Sequence, residues 1–240
     1  VIKEDTGEDE FKELEATGAK RYRSIAAVVN YMSLDRPDLQ FAASVLGRSL
    51  SRPTVAAEAK LKTVARYLLS HPQVIYSYIA GPMQEEVEVI SWSDSDWAGC
   101  RVSRRSTSVG LLSVGGGVIK SWSNRQGSVA LSSGEAEFYA AGKAAVEALG
   151  VRSLFADLGW KANLKICMDA AAARAIASRQ GIGKVRHLEV RYLWLQDKVR
   201  RGEIKLVKVW GKENPADVLT KPMSFGEALG LLGNLHLTGA

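Results

Sequence analysis

Four acidic side chains stand at the ends of predicted strands and helices rather than on open surface. Asp94 closes an apolar strand, and Asp169 directly follows another one. Glu137 and Asp217 fall in the first turns of two predicted helices. Hard divalent cations such as Mg²⁺ bind several carboxylate oxygens and keep part of their water. The four acids could therefore form one metal site, although spacing alone does not distinguish that site from four unrelated caps and surface acids.

The chain before these acids is predicted to be mostly helical. Residues 1–19 form an acidic stretch without a sustained apolar period, which favours a flexible tail. Residues 20–72 show apolar side chains at helical spacing, interrupted before Pro37 and Pro53. Proline suits the first turn of a helix, so the pattern predicts three helices, two of which begin at these prolines.

After residue 72 the period changes and predicts an α/β domain over residues 73–222. Strands are predicted over 74–79 and 87–92, joined by a turn at Gly81-Pro82. The elements that follow are strands over 109–114, 118–123 and 128–131, a helix over 134–149, a strand over 164–168, helices over 169–178 and 187–199, a strand over 204–209, and a helix with Pro215 in its first turn and Asn214 as its cap. This order predicts a mixed sheet, antiparallel first and parallel after the long helix, with a C-terminal helix or tail over 223–240.

Composition and charge narrow the classes of partner. No stretch of the 240 residues approaches the roughly 20 apolar residues needed to cross a bilayer, so we expect no membrane partner. Two cysteines, far apart, do not predict a zinc site or a disulfide framework. The first 18 residues hold seven acids and two bases, which leaves 30 bases and 19 acids in the rest. That excess is typical of proteins with a polyanionic partner, but a solvated basic surface would look the same.

Several separate motifs occur in one order along the chain. They are Ser93-Asp94-Ser95-Asp96-Trp97-Ala98-Gly99, Arg104-Arg105-Ser106-Thr107-Ser108, Ser121-Trp122-Ser123, Ser132-Ser133-Gly134-Glu135-Ala136-Glu137-Phe138, Arg186-His187-Leu188-Glu189-Val190-Arg191-Tyr192 and Asn214-Pro215-Ala216-Asp217-Val218-Leu219-Thr220-Lys221. Together they resemble the ribonuclease H domain of copia-type retrotransposon Pol polyproteins. Residues 21–70 resemble the helical segment that follows the polymerase palm in these polyproteins.

The resemblance implies a fold, an activity and a ligand set. The fold is a ribonuclease H-like mixed five-stranded sheet flanked by helices and preceded by a small helical segment. The implied activity is metal-dependent cleavage of the RNA strand of RNA–DNA hybrids, with two Mg²⁺ ions, or Mn²⁺ in their place, and no small-molecule cofactor. The implied metal ligands and catalytic residues are Asp94, Glu137, Asp169 and Asp217. Further implied partners are the polymerase domain and the rest of the Pol polyprotein, in a cytoplasmic virus-like particle or in the nucleus.

Some residue assignments stay open within the resemblance. Glu135 competes with Glu137, which is preferred because an aromatic and then small residues follow it. Asp96 shares a strand face with Asp94 if the strand continues that far. Because no histidine occurs in the loop before Asp217, His187 is the nearest candidate for moving a proton, and a capping or packing role is the alternative. Carboxylates clustered without metal repel one another, so we expect a raised pKa for at least one of them.

Substrate contacts are predicted from the basic and aromatic residues. The compact cluster of Arg104, Arg105, Ser106 and Thr107 is the candidate phosphate-binding site. Tryptophans 97, 122, 194 and 210 are interpreted as packing residues rather than as surfaces for base stacking. Alanines 170–173 replace the polar residue that commonly follows the third acid. These departures leave an alternative, in which the chain is a catalytically silent module that grips or positions the template–primer.

Overall fold

The computed structural model describes residues 11–79, 86–100, 103–181, 183 and 188–239. The strands are β1 (Val74–Tyr76), β2 (Glu86–Asp96), β3 (Thr107–Val114), β4 (Gly117–Arg125), β5 (Lys161–Met168), β6 (Lys205–Lys208) and β7 (Leu237–Gly239). A five-stranded sheet has the order β4-β3-β2-β5-β6. In it β3 is antiparallel to β2 and β4, whereas β5 is parallel to β2 and β6. The predicted mixed five-stranded sheet is therefore confirmed.

Helices cover this sheet and precede it. They are α1 (Ala16–Met32), α2 (Pro37–Gly47), α3 (Val55–Ser70), α4 (Ser133–Asp157), α5 (Ala171–Ser178), α6 (Trp194–Arg200) and α7 (Phe225–Gly233), with short 3₁₀ turns at Val190–Tyr192, Gly211–Glu213 and Pro215–Leu219. Among the described residues, no helix is both long enough and apolar enough to span a membrane.

Helix α4 forms the main core with one face of the sheet. Its inner surface consists largely of alanines with almost no exposed area, and it packs on β2, β3 and β5. Small side chains let a helix backbone approach a sheet closely, and larger residues from the sheet, such as Ile166 and Met168, fill the remaining space. The side chain of Ser132 caps the helix by accepting from the backbone N–H of Glu135. The start of α4 is thereby fixed above the sheet.

The opposite face of the sheet is covered by the end of the chain. Val109, Leu111 and Val118 pack against the 3₁₀ turn Pro215–Leu219 and against α7. The helices α1, α2 and α3, which we call the helical segment, have a separate core around Tyr22. This segment reaches the sheet at β4, where the Gln40 amide donates to the Ser121 hydroxyl at 3.2 Å.

Several predicted boundaries differ from the structure. The strand predicted over 128–131 is wrong, because those residues form no strand and have no pairing partner. Helix α1 begins at Ala16, inside the predicted tail, and α3 begins at Val55 with Thr54 as its cap, so Pro53 lies just before the helix. Helix α4 continues to Asp157, beyond the predicted end at residue 149.

Two further connections are corrected. The strand predicted over 74–79 ends at Tyr76 and pairs with β7 at the far end of the chain rather than with β2. Gly81 and Pro82, the predicted turn between them, lie outside the described residues. The helix predicted over 187–199 consists of a 3₁₀ turn and then α6.

Candidate metal centre

The parallel register of β2 and β5 brings the two strand acids together. Trp92 lies opposite Cys167. Asp94 and Asp169 each come two residues after this pair, so they lie opposite each other. Neighbouring strands are about 4.8 Å apart, which places these two carboxyl groups side by side at the same edge of the sheet. The strand β2 continues to Asp96, so Asp94 lies within the strand and does not close it as predicted.

Helix α4 supplies the third acid from above the sheet. Glu137 lies in the second turn of the helix rather than in the first, because the helix begins at Ser133. Both the backbone N–H and the hydroxyl of Ser95 donate to its Oε1, at 3.1 and 3.0 Å. Its Oε2 is buried and has no hydrogen-bond partner among the described residues. One carboxylate oxygen is thus held in place while the other is left for a ligand.

The choice between the two glutamates of this turn is decided by their partners. Glu135 accepts from the backbone N–H of Leu131 at 2.7 Å and from the Tyr139 hydroxyl at 2.5 Å. It therefore closes the loop before α4 onto the helix. Glu137, not Glu135, shares the cluster with Asp94 and Asp169.

A 3₁₀ turn brings the fourth acid from the C-terminal region. The fully buried Asn214 donates to the backbone carbonyl of Ser93 at 3.1 Å and caps the turn by accepting from the N–H of Ala216. Asp217, in that turn, contacts Asp94. Thr220 donates to Asp94 Oδ2 at 2.7 Å, and Lys221 donates to Asp217 Oδ2 at the same distance. The other oxygen of Asp217, Oδ1, is buried without a partner among the described residues.

The carboxylates of Asp94, Glu137, Asp169 and Asp217, here called the acidic centre, fit a hard cation. Asp94, Glu137 and Asp169 each offer an oxygen within 4.8 Å of the other two. Burial, followed by the charge of Asp94, raises the pKa of Glu137 to about 9. Burial and then the neighbouring Asp217 raise the pKa of Asp94 to about 6. The expected raised pKa is therefore found, with burial as its main cause and the neighbouring carboxylates as a further one.

Asp96 is placed close to the acidic centre but has other partners. Its carboxylate accepts from the backbone N–H of Thr107 and lies 3.6 Å from the guanidinium of Arg48 in α2. Burial is the main cause that raises its pKa. Asp96 is not part of the three-acid cluster, and it links the end of β2 to β3 and to the helical segment.

The predicted phosphate-binding cluster is divided by the structure. Arg104 and Arg105 are exposed in the loop between β2 and β3. Ser106 and Thr107 are buried, and the Ser106 hydroxyl accepts from the backbone N–H of Ala98 at 2.9 Å. The prediction is corrected for these two residues, because their side chains are turned into the protein and do not present a surface to phosphate.

Other candidates are separated by burial or by coverage. His187 lies outside the described residues. Trp122 is buried in the main core and Trp194 packs against it, as expected. Trp97 and Trp210 are 53% and 66% exposed, so the interpretation as packing residues is wrong for these two.

Sequence reasoning did not identify the contacts that hold the acids in place, although it named Asn214 as a cap. The residues that make these contacts are Ser95, Asn214, Thr220 and Lys221. All four lie inside motifs that also contain an acid, and that is the one signal that could have identified them. Three of these roles depend on contacts across 42 to 126 positions of the chain, which no local spacing reveals, whereas Lys221 lies four residues after its partner Asp217.

Comparison with known proteins relates the chain to transposon polyproteins. No family model matches it. It is 28% identical over 211 residues to the retrovirus-related Pol polyprotein from transposon RE1 of Arabidopsis thaliana, covering 87% of this chain and 14% of that protein. It is likewise 28% identical over 200 residues to the corresponding polyprotein from transposon TNT 1-94 of Nicotiana tabacum, covering 82% and 15%.

A solved structure is also similar. The crystal structure of LC11-RNase H1 in complex with an RNA/DNA hybrid matches 55% of this chain and 92% of its own, at 18% identity and a TM-score of 0.37. The chain spans about one seventh of the curated polyproteins it matches, and these relatives extend over the helical segment and the sheet together. The chain is thus similar over most of its length to retrotransposon Pol polyproteins, and its mixed five-stranded sheet flanked by helices has the ribonuclease H-like arrangement that the sequence motifs predicted.

Proposed function

We propose that this domain is a metal-dependent endonuclease that cleaves the RNA strand of RNA–DNA hybrids and leaves 3′-hydroxyl and 5′-phosphate ends. The observation that carries the proposal is the acidic centre itself. Two of its oxygens, Glu137 Oε2 and Asp217 Oδ1, are buried without a hydrogen-bond partner among the described residues. A buried carboxylate left unpaired destabilises the fold, so such an arrangement is kept where a cation completes it.

The acidic centre would hold two Mg²⁺ ions, with Mn²⁺ as the substitute. Two ions bound to one phosphodiester supply an activated water and stabilise the leaving oxygen. The chain's own residues set the directions of the ligands: Ser95 holds Glu137, and Thr220 holds Asp94. Lys221 neutralises part of the charge of Asp217 and holds its Oδ2.

The substrate would be bound mainly through its backbone. A nuclease that cuts many sequences uses phosphate contacts, which position a nucleic acid without reading its bases. Arg104 and Arg105 are exposed near the end of β2 and are suited to phosphate oxygens. Recognition of RNA would depend on its 2′-hydroxyl groups, which both donate and accept hydrogen bonds.

The setting would be reverse transcription by the whole polyprotein. The relatives are Pol polyproteins, and this chain corresponds to a small part of them. We propose the polymerase domain of the same polyprotein as the partner that supplies the hybrid.

A labelled hybrid incubated with the purified chain and Mg²⁺ tests the activity. We expect cleavage of the RNA strand only, with no cutting of a matched DNA duplex or RNA duplex. Replacement of Asp94 by Asn should lower the cleavage rate about 10³-fold, the equivalent of several kcal/mol of lost charge stabilisation. Asp96→Asn is the matched control, because Asp96 is bonded to Thr107 and Arg48 instead, and it should retain cleavage within about tenfold of the wild type.

The alternative function gives a different result in the same assay. A silent module would bind the hybrid without cutting it, and Asp94→Asn would change neither result. That outcome would replace the nuclease by a module that positions the template–primer.

A further inference from the structure

Two tryptophans are exposed at the edge of the sheet that carries the acidic centre. More than half of the surface of Trp97 and of Trp210 is accessible, whereas Trp122 is buried. A large aromatic side chain that stays exposed to water does not stabilise the fold by burial. Its exposure next to the acidic centre therefore indicates a role in binding.

The parallel strands determine where these indoles lie. β2, β5 and β6 are neighbours and run in the same direction, so their carboxyl ends meet at one edge. Trp97 is the first residue after β2, Asp169 the first after β5, and Trp210 the second after β6. With strands about 4.8 Å apart, Asp169 lies between the two tryptophans along this edge.

Local contacts connect Trp210 to the acidic centre. The residue before it, Val209, donates its N–H to the carbonyl of Met168 at 3.2 Å. A Cβ on the residue after it, Gly211, would lie 3.0 Å from Asp169 Oδ2. The ammonium of Lys208 lies over the indole, 4.1 Å from the ring centroid. The ring is thus held beside an acid of the centre and next to a positive charge.

Trp97 occupies the other side of the acidic centre. Its indole N–H donates to the carbonyl of Ala130 at 3.1 Å, so the ring is held against the loop that leads into α4. Leu131 in that loop is 63% exposed and extends the apolar surface next to the ring. The N–H of Ala98, the next residue, is bonded to Ser106, which ties this turn to the loop that carries Arg104 and Arg105.

We propose that Trp97 and Trp210 bind the nucleic-acid substrate by stacking on its bases or sugars, one on each side of the acidic centre. The inference rests on the proposed function, because it takes the same polyanion as the ligand. Exposed aromatic rings interleaved with Arg and Lys side chains are the pattern by which proteins grip single nucleic-acid strands without reading their sequence. In a hybrid duplex the internal bases stack on one another, so the rings would contact its sugars and its terminal bases. A protein partner would not require Lys208 over one ring, nor Arg104 and Arg105 in the loop that is tied to the turn after the other.

Binding of a fluorescein-labelled RNA–DNA hybrid to the full chain in EDTA tests the proposal without any need for cleavage. Trp97→Ala and Trp210→Ala should each weaken the Kd about tenfold, within the range measured for removal of a stacking residue. Trp210→Phe keeps a ring and should bind within about threefold of the wild type. The tryptophan fluorescence of the wild type should also fall when hybrid is added. It should fall less in the variant that carries both Trp97→Ala and Trp210→Ala.

Trp160→Ala is the matched control. Trp160 is 39% exposed and stacks on Phe155, and it precedes β5 at the opposite end of that strand. The nine residue steps from Trp160 along β5 to Asp169 put the two residues about 30 Å apart. Its replacement should leave hybrid binding unchanged, and thermal melts of all variants verify that they fold.

The two proposals fail in different ways. If folded Trp97→Ala and Trp210→Ala bind hybrid as the wild type does, or if Trp160→Ala weakens binding equally, stacking is wrong, even when the chain cleaves hybrids. Loss of binding in the two variants of a chain that never cleaves would uphold stacking and reject the nuclease. A wild-type chain that binds no hybrid overturns stacking as well.

Discussion

The helical segment and the sheet each bury acidic side chains, but they treat the charge in opposite ways. In the helical segment the side chain of Asp38 is 1% exposed. Arg36 donates to both of its oxygens, at 2.9 and 2.7 Å, and the Tyr67 hydroxyl donates at 2.6 Å. In the acidic centre, by contrast, Glu137 Oε2 and Asp217 Oδ1 have no partner among the described residues.

This difference separates a structural carboxylate from a ligand. The pair around Asp38 is complete, and Arg36 also donates to the carbonyls of His71 and Pro72, so the network joins α2 to the end of α3. The acidic centre is incomplete, and burial keeps the pKa of Glu137 near 9. Buried acids whose oxygens lack partners therefore mark the site, whereas a buried acid fully paired with an arginine marks a contact that stabilises the fold.

The largest expected effect comes from breaking the complete pair. Asp38→Ala leaves the Arg36 guanidinium buried without its counter-charge, so we expect a loss of about 3–5 kcal/mol in the free energy of unfolding. Urea unfolding in EDTA measures it. Glu58→Ala is the control, because Glu58 pairs with the exposed Arg21 and Lys62, and it should cost far less than Asp38→Ala. Equal losses in the two variants would contradict the comparison.

Addition of metal should complete the acidic centre. Mg²⁺ at 100 times its Kd should stabilise the wild type by about 2.7 kcal/mol, because it binds the folded chain alone. The same measurement on Asp169→Asn should give less than half of this gain, since one ligand charge is lost. A gain that survives in Asp169→Asn would mean that the ion binds elsewhere.

The metal-free protein should lose stability as the pH rises. The unfolded chain releases the Glu137 proton near pH 4.5, whereas the folded chain keeps it up to about pH 9. Between these values the folded state holds the extra proton, so the free energy of unfolding falls as the pH increases. Glu137→Gln removes this slope and should be about 2 kcal/mol more stable than the wild type at pH 8 in EDTA. Urea unfolding from pH 5 to 9 measures both chains, and parallel curves would refute the raised pKa.

The smallest expected effect is at the contact between the two regions. Arg48 lies 3.6 Å from Asp96, and both side chains are partly exposed. Arg48→Ala should therefore cost less than about 1 kcal/mol. A thermal melt compares it with Arg52→Ala, which removes an exposed pair with Glu13 and should cost no more than the variant at the contact. A loss above about 2 kcal/mol in the free energy of unfolding would mean that this contact is a main attachment of the helical segment to the sheet.

The spacing of apolar residues predicted those helices and strands whose burial follows a regular period along the chain. The apolar run Leu164–Met168 indicated a strand, and the pattern after Gly134 indicated the long helix that became α4. The same logic failed at Val129 and Leu131, which are strand-forming residues that are exposed and have no neighbouring strand. A strand requires a partner, and residue type alone does not provide one.

The four acids of the centre could be chosen from motifs, but the contacts that separate them from the neighbouring acids Asp96 and Glu135 could not be predicted. Asp94 and Asp96 share a strand face, yet Asp96 is taken up by the start of β3. Glu135 and Glu137 lie in one turn of one helix, and their separation depends on Tyr139 and Ser95. The exposed state of Trp97 and Trp210 also follows from tertiary placement, since the sequence around them resembles that of any packed tryptophan.

The pairing of β1 with β7 limits how far the chain can be shortened at its C-terminal end. Val74 pairs with Gly239, so the segment of the chain that forms the five-stranded sheet begins and ends at two short strands that pair with each other. A truncation at residue 222 would remove this pairing. It would also expose the apolar face of the sheet around Leu111, which Leu232 and Leu237 cover. We expect such a product to aggregate, and the smallest portable piece to extend to residue 239.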